Sequence, residues 1–439
     1  KPGYYLFDGR WELGTERTER INVKGAETVE HIVCSTRNGP IVDQLLPPDS
    51  SGTGPVSMRW MGQSFSDELT CFHTAHQATN CSEFREAFRE FKVPTLSIAF
   101  ADLQGQIGYQ CVGSIPIRDF WDRAYFSGWD PDHQWKGTIP FDSMPALSDP
   151  QEGWVRSANN RTAPPDYPYP LSGMWPSGLR ARRIRQMIES STTHSRADVS
   201  EMQVDFLSLR AIAAVPGILD ILDGTDNAMT REAIGYFHSW DFSMDVDSVA
   251  ATIFEEFFHQ WVTVVASERF PKEIVSTMSG SIGGLAVELL SEDRHGWFVG
   301  NRHSAVGLAM ILAINRLVEN LGPDMSKWNW GSVHMAFLPH HLSDIGDLGT
   351  LLDLGGDPVG GTALTVGNVG AVPFAGKKVG GANYRMVADL SDLTGGLWSV
   401  DHAGQSGHPG SSHYGNQFPE WLAGRQSSAI DSLNSLSSS

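Results

Sequence analysis

Hydrophobic and polar positions change rhythm several times along this chain, and each change predicts a different kind of structure. Ile21-Asn22-Val23 and Thr28-Val29-Glu30-His31-Ile32-Val33 alternate on either side of Lys24-Gly25-Ala26, which predicts short strands joined by a turn. Pro47-Pro48-Asp49-Ser50-Ser51-Gly52 predicts a loop. Phe84, Phe88 and Phe91 recur at helical spacing behind Asn80, a residue type that caps helix N-termini, so a helix is expected from Asn80 to Phe91. Thr95 to Ala101 is a nearly continuous apolar run, expected to be a strand covered on both faces. Asp102-Leu103-Gln104-Gly105-Gln106 turns the chain, and Ile107 to Gly113 returns as the partner strand.

Residues 114–177 are rich in Pro, Gly, Trp and Asp and carry no periodicity, which predicts irregular cover laid over a core or serving a site. From Gly178 to Asn320 the pattern turns helical. Ser195-Arg196-Ala197-Asp198 opens like a capping box, and Val199, Met202, Phe206 and Leu209 are expected on one helix face. His303 to Asn320 predicts a long amphipathic helix stopped by Gly322-Pro323. Gly346 to Gly410 is Gly-rich with β-like runs such as Tyr384 to Ala388, and the tail from Ser427 to Ser439 is Ser-rich and expected to be mobile. The order predicts a layered core of helices and strands interrupted by a helical insertion.

The 439 residues suit two or three structural units, and 14 Trp with 21 Phe supply a large core, which excludes a wholly disordered chain. Lys plus Arg is 32 against 51 Asp plus Glu, a net charge of −19. That balance excludes a nucleic-acid backbone or a polybasic membrane contact as the expected partner. The longest apolar run, Leu308 to Ile314, is too short to span a bilayer. Cys34, Cys71, Cys81 and Cys111 are too few for a disulfide framework. They read as four thiols or two bridges, with thiols favoured by the general burial of free cysteine. The start, Lys1-Pro2-Gly3-Tyr4-Tyr5, has neither an initiator Met nor an apolar signal segment, so processing or truncation is expected to have removed what came before.

No nucleophile elbow, phosphate loop, H-E-x-x-H helix or EF-hand loop is present. Gly355-Gly356 and Gly360-Gly361 follow no strand-to-helix pattern and read as turns. Cys71, His73, His76 and Cys81 make a C-x-H-x2-H-x4-C cluster of zinc-type donors, but not at the spacing of a standard finger, so no metal is expected. His340 and His341 are neighbours whose side chains diverge on an extended chain. Ser157-Ala158-Asn159-Asn160-Arg161 differs from these. It follows Gly153-Trp154-Val155, read as a short strand, and precedes Pro164-Pro165-Asp166-Tyr167-Pro168-Tyr169-Pro170. An amide pinned there can aim an N–H2 donor at an oxyanion; the plainer role is to satisfy loop backbone groups. Arg180, Arg182, Arg183 and Arg185 form a cationic segment whose plain reading is a solvated helix face.

Together these segments resemble the β-chain of the penicillin acylase (penicillin amidase) family of N-terminal-nucleophile hydrolases, nearly end to end. The resemblance runs through Lys1-Pro2-Gly3-Tyr4-Tyr5, Asp102-Leu103-Gln104-Gly105-Gln106-Ile107-Gly108-Tyr109, Trp135-Lys136-Gly137, Pro140-Phe141 and Asp149-Pro150-Gln151-Glu152-Gly153-Trp154. It continues through Ala158-Asn159-Asn160-Arg161, Trp175-Pro176-Ser177-Gly178-Leu179-Arg180-Ala181-Arg182-Arg183-Ile184 and Met202-Gln203-Val204-Asp205. Trp330-Gly331-Ser332-Val333-His334 and Gly404-Gln405-Ser406-Gly407 close it. Each piece is weak alone; their order and spacing are specific. The resemblance implies an α+β fold, an αββα sandwich of the Ntn-hydrolase type, with a small β-rich N-terminal subdomain (1–60) and a helical insertion (198–345). The core would be shared between 61–197 and 346–425, with a flexible tail at 426–439. It implies amide hydrolysis through an acyl-enzyme, with an amino-terminal Ser as nucleophile and its own α-amine as base. Residue by residue, Asn159 matches the side-chain oxyanion donor, Arg180 an arginine that braces the catalytic centre, and Phe72 and Leu96 positions that line the acyl pocket.

Lys1 is not a nucleophile, so the resemblance implies that the Ser, the first strands of the β-chain and the whole α-chain lie upstream, and that this piece alone is inactive. In the intact parent, the implied substrates are N-acyl amides, either β-lactams with arylacetyl or aliphatic side chains or acyl-homoserine lactones. The implied location is periplasmic or secreted. Some members hold calcium with an Asp after the Asn pair; here Pro170 stands at that place and Asp166 would serve only with a shifted loop, so no cofactor is expected. Ser412-His413-Tyr414-Gly415-Asn416-Gln417 carries Gly-Asn where members often have two acids. The rivals are a non-catalytic binding scaffold on the same fold and a zinc hydrolase built on the Cys/His cluster.

Overall fold

A computed structural model describes residues 3–46, 54–119, 125–171, 173, 175–370, 374 and 380–429. The loop at Pro47 to Gly52 and most of the Ser-rich tail lie outside the described residues. The chain divides into two units, Lys1–Pro176 and Ser177–Ser439.

In the first unit, β1 (Tyr4–Phe7) and β2 (Arg10–Leu13) form a hairpin. β3 (Thr15–Ile21) and β4 (Val29–Thr36) pair antiparallel, Thr15 opposite Ser35 and Ile21 opposite Val29, and β5 (Gly39–Pro40) adds to the end of β4. The expected turn at Lys24-Gly25-Ala26 joins β3 to β4. Helices α1 (Glu68–Gln77) and α2 (Cys81–Glu86) follow. Asn80 caps α2 as its side chain predicts, Oδ1 accepting from Glu83 N–H at 2.9 Å. The helix expected to reach Phe91 stops at Glu86. Reverse turns continue it, with Phe88 N bonded to Arg85 O at 3.2 Å and Phe91 N to Phe88 O at 3.1 Å. The rings still gather, Phe84 to Phe88 at 5.3 Å and Phe88 to Phe91 at 5.8 Å, because three-residue turns preserve the shared face.

The hairpin read from the sequence is present as β6 (Leu96–Ala101) and β7 (Ile107–Val112), with β8 (Ala146–Ser148) on the far side of β7. β6 is not covered on both faces. Leu96 and Ile98 pack against Cys71, Phe88, Phe91 and Val112, whereas Ser97, Ala99 and Ala101 are exposed. The run reads as apolar only because alanine counts as apolar; its side chains alternate large and small. Gly108 leaves room for the Phe100 ring, whose atoms would lie 2.3 Å from an added Cβ. The strand expected at Gly153-Trp154-Val155 is absent. Gly153, at φ +76°, ends a turn bonded to Pro150 O, and Trp154 and Val155 belong to no described strand.

The second unit opens with α3 (Leu179–Glu189), α4 (Arg196–Met202), α5 (Leu209–Leu222) and α6 (Ala228–Gly235). It continues with α7 (Val249–Ser267), α8 (Lys272–Ser279), α9 (Gly283–Ser291) and α10 (Arg302–Leu321). Ser195 and Asp198 form the expected capping box. The single face expected for Val199, Met202, Phe206 and Leu209 is split. α4 ends at Met202, and Ser208 starts a new helix by accepting from Ala211 N–H at 3.1 Å. α7 and α10 pack along each other around a core in which Phe254, Phe257, Trp261, Trp328 and Trp330 are closed to solvent. Trp261 stacks on Phe298 at 5.7 Å. Each such ring contributes roughly 2–3 kcal/mol through burial. α10 is long and apolar enough to cross a membrane by length and composition, yet its Val306, Met310, Ala313 and Leu317 are buried in this core.

The chain then forms β9 (Met335–Leu338), α11 (Leu348–Leu352), β10 (Leu354–Pro358), β11 (Val369–Gly370) and β12 (Gly380–Gly381). It ends in β13 (Tyr384–Ala388), β14 (Leu397–Asp401), α12 (Phe418–Leu422) and β15 (Ser427–Ser428). Gly355 sits at a bulge between β9 and β10, where an added Cβ would lie 2.3 Å from Ala336 O. On β13–β14, Arg385, Val387 and Val400 are buried, Val400 against Phe418 and Trp421 of α12. Tyr384, Met386 and Leu397 are exposed on the strands' other side. Among the described residues every sheet has two or three strands.

Candidate active site

Asn159 occupies the left-handed backbone region at φ +60°, a conformation that asparagine tolerates better than most residues. Its flanks are fixed. Asn160 Oδ1 accepts from Ala158 N–H at 3.1 Å, and Asn160 Nδ2 donates to Arg161 O at 2.9 Å. Asn160 thus closes part of the loop, and Asn159 beside it is exposed. Beyond them, Tyr167 OH donates to Ser143 O at 2.6 Å, pinning the proline-rich run. Asp166 in that run is exposed.

The same loop is tied to the β6–β7 sheet. Tyr109 OH donates to Thr162 Oγ1 at 2.9 Å and lies 2.8 Å from Ser97 Oγ. Ser97 follows Leu96, the first residue of β6. Leu96 packs against the cluster of Phe88 and Phe91, and Phe72 meets both those rings edge-on at 5.6 Å. The structure thus gathers Phe72 and Leu96 on one aromatic cluster and fastens the Asn159 loop to the strand that carries Leu96. Phe72 remains 40% exposed, so its ring is available on the surface of that cluster.

Arg180 belongs to the second unit, in the first turn of α3. It is half-buried, and burial pushes its pKa below the ordinary arginine value. A cation at a helix N-terminus opposes the helix dipole, so helix stability alone does not account for this placement. Its neighbours serve structure: Arg183 grips Asp205 with two hydrogen bonds, at 3.0 and 2.6 Å, and Arg185 pairs with Glu189 one turn on. The Arg183–Asp205 fork joins two segments quoted above for their pattern; nothing in the sequence announced it as a pair.

All four cysteines are free thiols. Burial, reinforced by Asp102, pushes the Cys81 thiol up to about 11, and burial does the same to Cys111. His76 Nδ1 lies 2.7 Å from Phe72 O, and Cys81 Sγ donates to Gln106 O. No group of three His, Cys, Asp or Glu side chains suited to a metal ion forms among the described residues.

A cleft of about 560 Å³ in the first unit is lined by Tyr4, Tyr5, Tyr125 and Trp129 among others. Two smaller clefts of about 370 and 350 Å³ lie in the second unit. Asn159, Phe72, Leu96 and Arg180 line none of these three. Within the first unit, Leu96 and Ser97 point to opposite faces of β6, so the hydroxyls of Ser97, Tyr109 and Thr162 meet the Asn159 loop on the face away from the Phe72–Leu96 cluster.

A family model described as penicillin amidase matches residues 1–430. The chain is 28% identical to the acyl-homoserine lactone acylase QuiP of Pseudomonas aeruginosa, over 96% of this chain and 55% of that protein. It is 27% identical to the penicillin acylase 2 proenzyme of Pseudomonas sp. strain SE83, over 94% of this chain and 54% of that protein. The chain spans about half the length of these curated relatives. A solved structure of a thermostable penicillin G acylase from Alcaligenes faecalis superimposes with a TM-score of 0.67 at 18% identity, covering 98% of this chain and 80% of the other. That likeness shows the fold.

Proposed function

The chain belongs to the penicillin amidase family, and from that premise we propose that it is the larger part of an amide-cleaving acylase whose nucleophile lies outside it. In this reading a Ser hydroxyl at a freed amino terminus attacks the carbonyl carbon of an N-acyl amide. The hydroxyl proton passes to the α-amine and then to the departing amine, and water later hydrolyses the acyl-enzyme. Asn159 Nδ2–H holds the oxyanion, worth about 3 kcal/mol of barrier. Phe72 and Leu96 receive the acyl group, and Arg180 braces the centre.

The observation that carries this reading is the exposed Asn159 in a tied loop. Its backbone is left-handed, its neighbour Asn160 closes the loop, and Tyr109 ties that loop to the strand beginning at Leu96. The names of the relatives support an acyl-homoserine lactone or a penicillin-type amide as substrate. The name proenzyme of one relative supports a precursor that is processed, and the reading places the protein in the periplasm or outside the cell. Each unit carries a short three-stranded sheet, β6–β7–β8 with exposed Ala99 in the first and β13–β14–β15 with exposed Tyr384, Met386 and Leu397 in the second, and each suits a sheet that further strands extend.

The exposure of Asn159 favours one rival, a scaffold on this fold that binds without catalysis. One experiment separates them. The full-length protein encoded with this chain is assayed with a chromogenic phenylacetyl amide and with an acyl-homoserine lactone. Hydrolysis that falls about 100-fold or more in Asn159→Gly, with unchanged circular dichroism, is the expected result. Absence of hydrolysis, or unaltered turnover in the variant, refutes the assignment.

A further inference from the structure

Tyr109 is 3% exposed and stands on β7 opposite Ala99. A buried phenol needs a hydrogen-bond partner for its hydroxyl, and here there are two, Ser97 on the neighbouring strand and Thr162 in the loop beyond Asn159. Burial raises the Tyr109 pKa, so the group stays a protonated donor. A phenol has one proton. Since it is given to Thr162, Ser97 must donate to the phenol oxygen, which sets the direction of the chain Ser97 to Tyr109 to Thr162.

Asn160 closes the loop from Ala158 to Ala163 on itself, and Ala163 packs in a small apolar cluster with Ile139, Met144 and Leu171, against which Cys111 of β7 also packs. That apolar contact is non-directional. The hydroxyl chain adds directed bonds, through side chains that cross from β6 to β7 to the loop. We infer that Tyr109 is a positioning residue, whose hydroxyl, held between Ser97 and Thr162, sets where the Asn159 carboxamide stands relative to the acyl-pocket strand. Its kinetic consequence rests on the acylase reading above; the mechanical coupling does not.

The test uses the full-length protein and four variants: Tyr109→Phe, Thr162→Val, the double variant and Thr162→Ser. Tyr109→Phe keeps the ring and removes only the hydroxyl. Each of the first two variants is expected to lower kcat about tenfold or more with KM held within about twofold, because a displaced donor weakens transition-state contact but not ground-state binding. The double variant should be no slower than the worse single, since both substitutions break one bond. Thr162→Ser, which keeps the acceptor oxygen, should restore the normal rate. Wild-type kcat in Tyr109→Phe, or losses that multiply in the double variant, overturns the inference.

A second readout is independent of activity. Amide hydrogen exchange over residues 158–163 should quicken in Tyr109→Phe and not quicken further when Thr162→Val is added. If the protein hydrolyses no N-acyl amide, the acylase reading falls and this exchange measurement decides alone: quickened, non-additive exchange keeps the inference, and unchanged exchange removes it.

Discussion

Asn160 Oδ1 accepts a hydrogen bond from the backbone N–H of Ala158 at 3.1 Å, across the residue that carries the candidate oxyanion donor. With Asn159 as the oxyanion donor, the two adjacent amides are predicted to have separable duties. Asn160→Ala should loosen the loop, lowering stability by about 1 kcal/mol in chemical denaturation, and should slow amide turnover less than Asn159→Gly does. Equal turnover losses in the two variants would show that the duties are not divided this way.

The backbone of Asn159 yields a prediction that needs no substrate. At φ +60° an alanine suffers steric conflict that glycine escapes. Asn159→Ala should be less stable than Asn159→Gly by about 1 kcal/mol, read from urea midpoints at matched slope. A more stable alanine variant would mean that the loop relaxes out of the left-handed region.

His334 is 1% exposed and stacks on Trp330 at 4.6 Å, with Nδ1 2.7 Å from Val359 O. Burial holds its pKa below the ordinary value. The carbonyls of Val359 and Val369 and the negative charge of Glu255, itself paired with Arg210, oppose that shift without cancelling it. An unfolded chain takes up a proton here near pH 6.5, before the folded one does. The stabilisation is complete above that pH and is lost as pH falls from there through the folded pKa. His334→Phe keeps the stack and does not titrate. The stability difference between wild type and this variant, measured at pH 7.5 and pH 5.5, should shift against the wild type at the lower pH; parallel profiles would contradict it.

Local signals in the sequence were legible because their physics is local. Asn80 and Ser195 cap helices, Gly105 turns a hairpin and Gly322 stops α10, each acting within a few residues. Errors arose where the partner is distant. Trp154 and Val155 looked like a strand, but pairing depends on a neighbour that sequence does not name. β6 read as two-sided because its alanines count as apolar while leaving a face open. The candidate residues Asn159, Arg180, Phe72 and Leu96 came from resemblance. What holds the Asn159 loop did not, because Tyr109 and Thr162 lie 53 residues apart and neither is unusual in its own stretch.

Glu256 offers a test of the helical block that supports the second unit. It is closed to solvent on α7, where Oε1 accepts from Gln260 Nε2 at 2.7 Å and from Arg316 Nη1 of α10 at 3.3 Å, and Oε2 has no partner among the described residues. A buried carboxylate is tolerable only while a cation faces it. Arg316→Met keeps an apolar stem but strands the charge, and should cost about 3 kcal/mol. Pairing it with Glu256→Gln removes the charge as well and should recover a large part of that loss, because the penalty comes from the uncompensated carboxylate and not from missing volume. Denaturant midpoints of the two single variants, the double variant and the wild type give the coupling directly. A double variant that is merely the sum of its parts would place the stability of α7 against α10 in their apolar packing alone.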